Sequence, residues 1–267
     1  MMMTEFSPAD SADLKAAVAK LESQSFAMNM AATVGMPVEA LLRRLPLRVQ
    51  LAVKGSVDKA LEKCLHIAVR ADRRSKPGVV RKRAHTAATA FTGTVGGFFG
   101  LPGLVVELPI TTTVMLHSIV EIARSQGEDL SQTESQLACL EVFALGPERG
   151  HTEATESAYY ATRTALTQFT REAVTFVTRK GLAKEGAPAL VSFLGRIAAR
   201  FGVEVSEKFA AEMVPIAGAV GGLTLNVLFS QHFQNLAEGH FTVRRLERVY
   251  GKDAVREQYE ALRFSQR

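Results

Sequence analysis

Glu107 is the residue whose setting most invites chemistry, an acid in an apolar run between Pro102 and Pro109. A carboxylate so placed is costly unless paired or solvated. It reads either as a group at a break between helices, accepting backbone N–H groups or meeting an Arg of the basic segment, or as a working carboxylate that binds a cation or relays a proton. Beyond Pro109, Thr113, His117, Glu121 and Arg124 recur at spacings of four, four and three, which lines them along one helix face. His117 with Glu121 has the makings of a general base and its orienting partner. Glu107, His117 and Glu121 are therefore the catalytic candidates, for a hydrolase-type reaction on lipid or peptide. Asn226, Ser230, Gln234 and Glu238 form a second polar stripe, read as a hydrogen-bonded seam, a solvent face or a cavity lining.

Other chemistries lack their residues. The six histidines (His66, His85, His117, His151, His232 and His240) contain no H-x-x-x-H or H-E-x-x-H, and Cys64 and Cys139 stand far apart outside any C-x-x-C. No metal site is expected from such spacings, and the thiols read as buried and free. G-x-S-x-G, G-x-G-x-x-G and the phosphate-loop pattern G-x-x-x-x-G-K-[ST] are all absent, so neither a serine-hydrolase elbow nor a nucleotide cofactor is expected.

Charge is distributed unevenly. Residues 43–83 hold 13 basic and 3 acidic groups, a net +10 in a chain whose total is +5. The densest part is RADRRSKPGVVRKR, with Arg70, Arg73, Arg74, Lys76, Arg81, Lys82 and Arg83 against Asp72. Such a cluster suits an anionic surface, lipid headgroups or nucleic acid, each cation contributing about 1 kcal/mol near a charged bilayer. It also suits a plain solvated face. Nucleic acid fits less well, because the segment has no interleaved aromatics to stack on bases.

Two uncharged stretches follow, Ala84–Val106 and Met213–Ala237. Each has about the length that spans a bilayer, yet both are rich in Gly, Thr, Ser, Asn and Gln and poor in the residues that drive insertion. Gly93 with Gly97, Gly96 with Gly100, and Gly218 with Gly222 stand four apart, so on helices they clear a face for close approach of another backbone. That approach serves packing in a bundle or insertion in a membrane.

The elements that must carry these residues read as helices almost throughout. Ser7-Pro8 caps a first helix in which Leu14, Ala17, Val18 and Leu21 recur at helical spacing. From Pro46 to about Asp72, Val49, Val53, Val57, Leu61, Leu65 and Val69 form an unbroken i, i+4 row. A helix is expected over about 79–100, stopping before Pro102, and another ending near Gly127. Ser131 and Glu134 read as a capping box. Further helices are expected at about 153–182, 187–201, 203–213, 215–249 and 252–264. No segment alternates with period two. The expected fold is all-α, a multi-helix bundle centred on the two Gly-rich apolar regions, with residues 1–39 as a peripheral N-terminal helix and 40–264 as the main helical domain.

Residues 96–146, beginning GGFFGLPGLVVELPITTTVMLHSIVEIARSQGEDL, and 218–251, GAVGGLTLNVLFSQHFQNLAEGHFTVRRLERVYG, carry a further signal. The strings G-L-P-G, E-L-P-x-T-T and H-F-T-V-R-R-L-E, in this order, resemble the two signature regions of the EcsC protein family. That family takes its name from the third product of an operon whose other products form an ABC exporter, and its members share no agreed reaction, substrate or cofactor. The resemblance therefore implies an accessory role near a transport or secretion system, with an ABC transporter or another membrane protein as partner. It gives no catalytic role to the matching Glu107, Thr111, Thr112, Arg244 and Arg245.

Three classes of function are thus expected in order: a non-enzymatic accessory protein at an anionic membrane surface, a hydrolase-type enzyme, and a nucleic-acid binder through residues 43–83. The start, MMMTEFSPADSADLK, has acids where a secretory signal has a basic region and an apolar run. A cytoplasmic location without a signal peptide is expected, peripheral to the inner face of the membrane.

Overall fold

The structure, a computed structural model, describes residues 6–23, 42, 45–70, 101–146, 157–182, 187–212 and 215–265. Among them are eight α-helices and no strand: α1 (Pro8–Leu21), α2 (Leu47–Arg70), α3 (Leu101–Ser125), α4 (Thr133–Glu141), α5 (Ala158–Lys180), α6 (Pro188–Glu212), α7 (Pro215–Tyr250) and α8 (Lys252–Ser265). A single 3-10 turn, Val142–Ala144, follows α4. The all-α bundle expected from periodicity is the observed fold. No helix among the described residues is long and apolar enough to cross a membrane.

α2 forms where its valine row predicts. Val49, Val53, Val57, Leu61 and Leu65 are buried with Ala60, Cys64 and Ala68 between them, and α2 lies along α3, α4 and α6. Cys64 and Cys139 are free and buried, and burial pushes both thiols up to about 12. Neither is an available nucleophile at neutral pH.

Three boundaries differ from the sequence reading. α3 runs on through Pro109, so Glu107 sits inside a helix and not at a break. Pro109 removes one rung of the ladder, while the Thr112 and Thr113 hydroxyls donate to the carbonyls of Leu108 (2.7 Å) and Pro109 (2.6 Å) one turn before them. α6 likewise continues through Gly202, because tertiary packing of Phe193, Ile197, Phe201 and Val205 outweighs the roughly 1 kcal/mol helix penalty of glycine. The capping box does not form. Asp129 Oδ1 takes the N–H of Ser131 at 2.9 Å, and α4 starts at Thr133 without a side-chain cap.

α7 is the longest helix and touches α1, α3, α6 and α8. Phe229 and Phe233 of α7 meet Phe201 of α6 and Phe143 of the 3-10 turn, with ring centroids 4.9–6.1 Å apart. α1 starts as expected: Pro8 follows Ser7, whose hydroxyl accepts from Asp10 N–H at 3.1 Å. Its apolar side, Leu14, Ala17, Val18 and Leu21, is buried. Gly239 makes the approach of α1 to α7 possible, since a Cβ there would lie 2.6 Å from Leu21 Cγ and 3.1 Å from Ala17 O.

That fit yields a first prediction. G239A should lower unfolding free energy in urea by about 1–3 kcal/mol through overpacking, and the double variant G239A/L21A should lose less than the sum of the two single changes. If G239A unfolds like the parent protein, α1 does not seat on α7 as described.

Candidate functional site

Glu107 is buried with 6% of its surface exposed, and its carboxylate faces two other helices. Lys208 Nζ of α6 stands 3.4 Å from Oε1, and Asn226 Nδ2 of α7 donates to the same oxygen at 3.1 Å. Lys208 also pairs with Glu212 at 2.7 Å and lies 5.8 Å from the centre of the Phe229 ring. Burial disfavours the charge on Lys208, but Glu212 and Glu107 outweigh it and hold its pKa above the ordinary lysine value. The ammonium is therefore fixed as a cation between two carboxylates, and proton exchange at neutral pH is suppressed. Asn226 Oδ1 is buried with no hydrogen-bond partner among the described residues.

His117 lies elsewhere. It is exposed, with Nδ1 2.8 Å from Thr113 O, and ten helical residues separate it from Glu107 by roughly 15 Å along the axis. Glu121, half-buried, lies a further turn along α3. The structure thus does not bring Glu107, His117 and Glu121 into one acid–base site. The second polar stripe is a seam: Asn226, Ser230 and Gln234 are buried, Gln234 stands 3.5 Å from Ser230 Oγ, and Glu238 pairs with Lys20 of α1.

A second cluster, which spacing alone did not reveal, surrounds Glu128. Gly127, in the left-handed region at φ 76°, closes α3 with Glu128 N–H donating to Ala123 O at 3.0 Å, and this turn directs Glu128 at α7. Arg244 grips the carboxylate with two bonds of 2.8 and 3.0 Å, Arg248 adds a third and Ser135 a fourth of 2.7 Å. Burial raises the Glu128 pKa, but Arg244, Ser135 and Arg248 hold it below the ordinary glutamate value. Arg163 of α5 forks onto Glu247 at 2.7 and 3.0 Å and donates to Tyr159 Oη at 3.2 Å. That phenol is 3.1 Å from His240 Nδ1. A cleft of about 610 Å³ opens beside the cluster, lined by Glu128, Ser131, Thr133, Arg248 and Lys252 among others. The pair Arg244 and Arg248 is visible in the sequence as an i, i+4 repeat, but Glu128 lies 116 positions away and nothing local names it.

Most of the other candidates fall outside this picture. Arg70 closes α2, its side chain outside the described part; Arg73, Arg74, Lys76, Arg81, Lys82, Arg83, Gly93, Gly96, Gly97 and Gly100 lie outside the described residues. Gly218 and Gly222 lie in the first turns of α7, where only the helical backbone is described. Among the described residues no group of three or more His, Cys, Asp or Glu could hold a metal ion.

Residues 12–246 match the EcsC protein family across most of the chain. The chain belongs to the EcsC family. The EcsC match begins inside α1 and ends at Leu246 in α7, so it takes in Glu107, Lys208, Asn226, Glu128 and Arg244 but stops before Glu247, Arg248 and α8. No curated protein and no solved structure matches the chain.

Both clusters generate predictions. K208M should cost about 3–5 kcal/mol, because it strands buried carboxylates, and the double variant E107Q/K208M should lose less than the sum of the single changes. Strict additivity in urea unfolding would mean that the pair is not coupled. His240 is held well below the ordinary histidine pKa of about 6.5, first by burial and then by Arg163 and Arg244. The folded protein therefore binds fewer protons here than the unfolded chain below about pH 6.5, and stability falls as pH drops through that range. Glu128 contributes its own loss only at lower pH, as the pH falls from the ordinary carboxylate value towards its lowered one. H240Q should accordingly lose less stability between pH 7 and pH 5 than the parent; equal losses would show that His240 takes up no proton on unfolding.

Proposed function

We propose that this EcsC chain is a non-enzymatic accessory protein that works at an anionic membrane surface beside a transport or secretion system. The observation that carries this reading is the charge excess of residues 43–83. Part of that excess stands on the outer face of α2, where Arg48, Lys54, Lys59 and Lys63 are exposed against Asp58 and Glu62. The organisation of the interior also favours it. Glu107 and Glu128 are engaged by Lys208, Asn226, Arg244, Arg248 and Ser135, which ties their carboxyl groups into the packing of the described helices. The link to transport rests on the family resemblance alone.

Vesicle binding tests the reading. The intact protein should sediment with vesicles containing phosphatidylserine and not with phosphatidylcholine alone, and its affinity should fall with salt. Reversing four charges, R73E, R74E, R81E and R83E, should weaken binding by about 100-fold or more, given about 1 kcal/mol per cation. Unchanged affinity would remove the basic segment as the contact. Preferential retention of RNA or DNA over lipid at equal salt would move the assignment to nucleic acid.

A further inference from the structure

Large apolar side chains on the surface of α2 are confined to its beginning. Leu47 is 69% exposed and Leu51 61% exposed, whereas Val49, Val53 and Val57 on the other side are buried. With 100° per residue, Leu47, Leu51 and Lys54 fall within about 60° of one another, and Arg48 lies beside them. Lys54 is exposed and pairs with Asp58 at 2.9 Å, and Arg48 is exposed as well. A single exposed leucine is unremarkable. Two adjacent ones, flanked by cations at the head of the most basic segment of the chain, form the apolar-plus-cationic face that interfacial helices present to lipid.

The neighbouring surface continues the pattern. Between α2 and α6 runs an open apolar groove of about 560 Å³, floored by Val53, Val57, Ala198 and Ala199, with Gly195 and Gly202 on its α6 side. A Cβ built on either glycine would meet nothing within 4 Å, so the groove is open above them. Val203, 44% exposed, stands on the α6 rim, and Val191, 57% exposed, lines the next cleft along the same two helices. Gln50, Lys54 and Asp58 also line the groove on its α2 side, between its floor and the two exposed leucines.

We infer that the first two turns of α2 are the insertion element of the protein: Leu47 and Leu51 enter the acyl region of an anionic bilayer while Arg48 and Lys54 hold the phosphate headgroups. Charge complementarity selects the occupant. An apolar patch bounded by cations, in a segment of net +10, fits a negatively charged lipid surface better than a neutral protein face. The inference rests on the membrane reading above and adds to it a contact that salt does not screen, because apolar burial is indifferent to ionic strength.

The chain contains no tryptophan, so one introduced residue reports alone. L51W in the full chain should shift its emission to the blue on adding phosphatidylserine vesicles and be quenched by lipids brominated along the acyl chain. V249W, at a site 64% exposed on α7, should stay at the aqueous wavelength. L47S/L51S should keep the parent's thermal unfolding temperature and its salt-sensitive vesicle binding, but lose the portion that survives 0.5 M salt, weakening overall affinity by about 100-fold.

The outcomes separate the two ideas. A parent protein that binds no vesicle overturns the membrane reading and the insertion with it. Binding with L51W still wet, or with L47S/L51S as salt-resistant as the parent, overturns the insertion only. L51W emission already blue before lipid is added, or destabilisation by L47S/L51S, overturns it too, because the leucines would then be covered by the chain itself.

Discussion

Three helices of the bundle, α1, α3 and α5, take their register from polar groups along one other helix. α7 is 36 residues long, and its side chains engage successive neighbours: Asn226 meets Glu107 of α3, Glu238 meets Lys20 of α1, and His240 meets Tyr159 of α5. Farther along, Arg244 holds Glu128, Arg245 holds Asp10 and Asp13 of α1 at 3.1 and 2.5 Å, and Glu247 holds Arg163. Apolar packing is non-directional and would tolerate several alignments of these helices. A slip of one helical turn, about 5.4 Å, would break the two buried ion pairs, Arg244–Glu128 and Arg163–Glu247, at about 3–5 kcal/mol each. The buried pairs add little net stability over well-packed apolar residues. Their effect is to make the alternatives worse.

The same requirement sorts what was legible in the sequence. The helices of the bundle followed from periodicity, and α2 is the clearest case, because an i, i+4 row of valines and leucines can be buried only by a helix. Gly202 and Pro109 misled for one reason: local propensity weighs about 1–3 kcal/mol, while the aromatic core around Phe201 and the contacts of α3 on both sides of Pro109 weigh more. The capping box failed because Asp129, two residues before Ser131, took the N–H that starts the turn. Glu107 stood out correctly as an acid in apolar surroundings. Its partners did not, since Lys208 and Asn226 are 101 and 119 positions away and sit in runs that look like ordinary amphipathic and apolar helix.

Chemically, the interior is conservative. Lys208 and Glu128 are held charged, His240 neutral and the two thiols protonated, whereas burial raises the carboxyl of Glu141 above the ordinary glutamate value. The surface is where the chain is uneven, with cations and exposed leucines gathered at the head of α2. The division between an interior locked by pairing and a surface polarised by charge is what the accessory reading draws on.

Gly239 carries a consequence for synthesis. The helix it receives, α1, is made more than 200 residues before its seat on α7, with Arg245 bonding Asp10 across 235 positions. At about 5–20 residues per second, α1 waits roughly 10–40 s on the ribosome with Leu14, Val18 and Leu21 unburied. The bundle cannot close from its N-terminus. α1 can dock only after α7 has been made, so its apolar side is buried by a contact that spans nearly the whole described bundle.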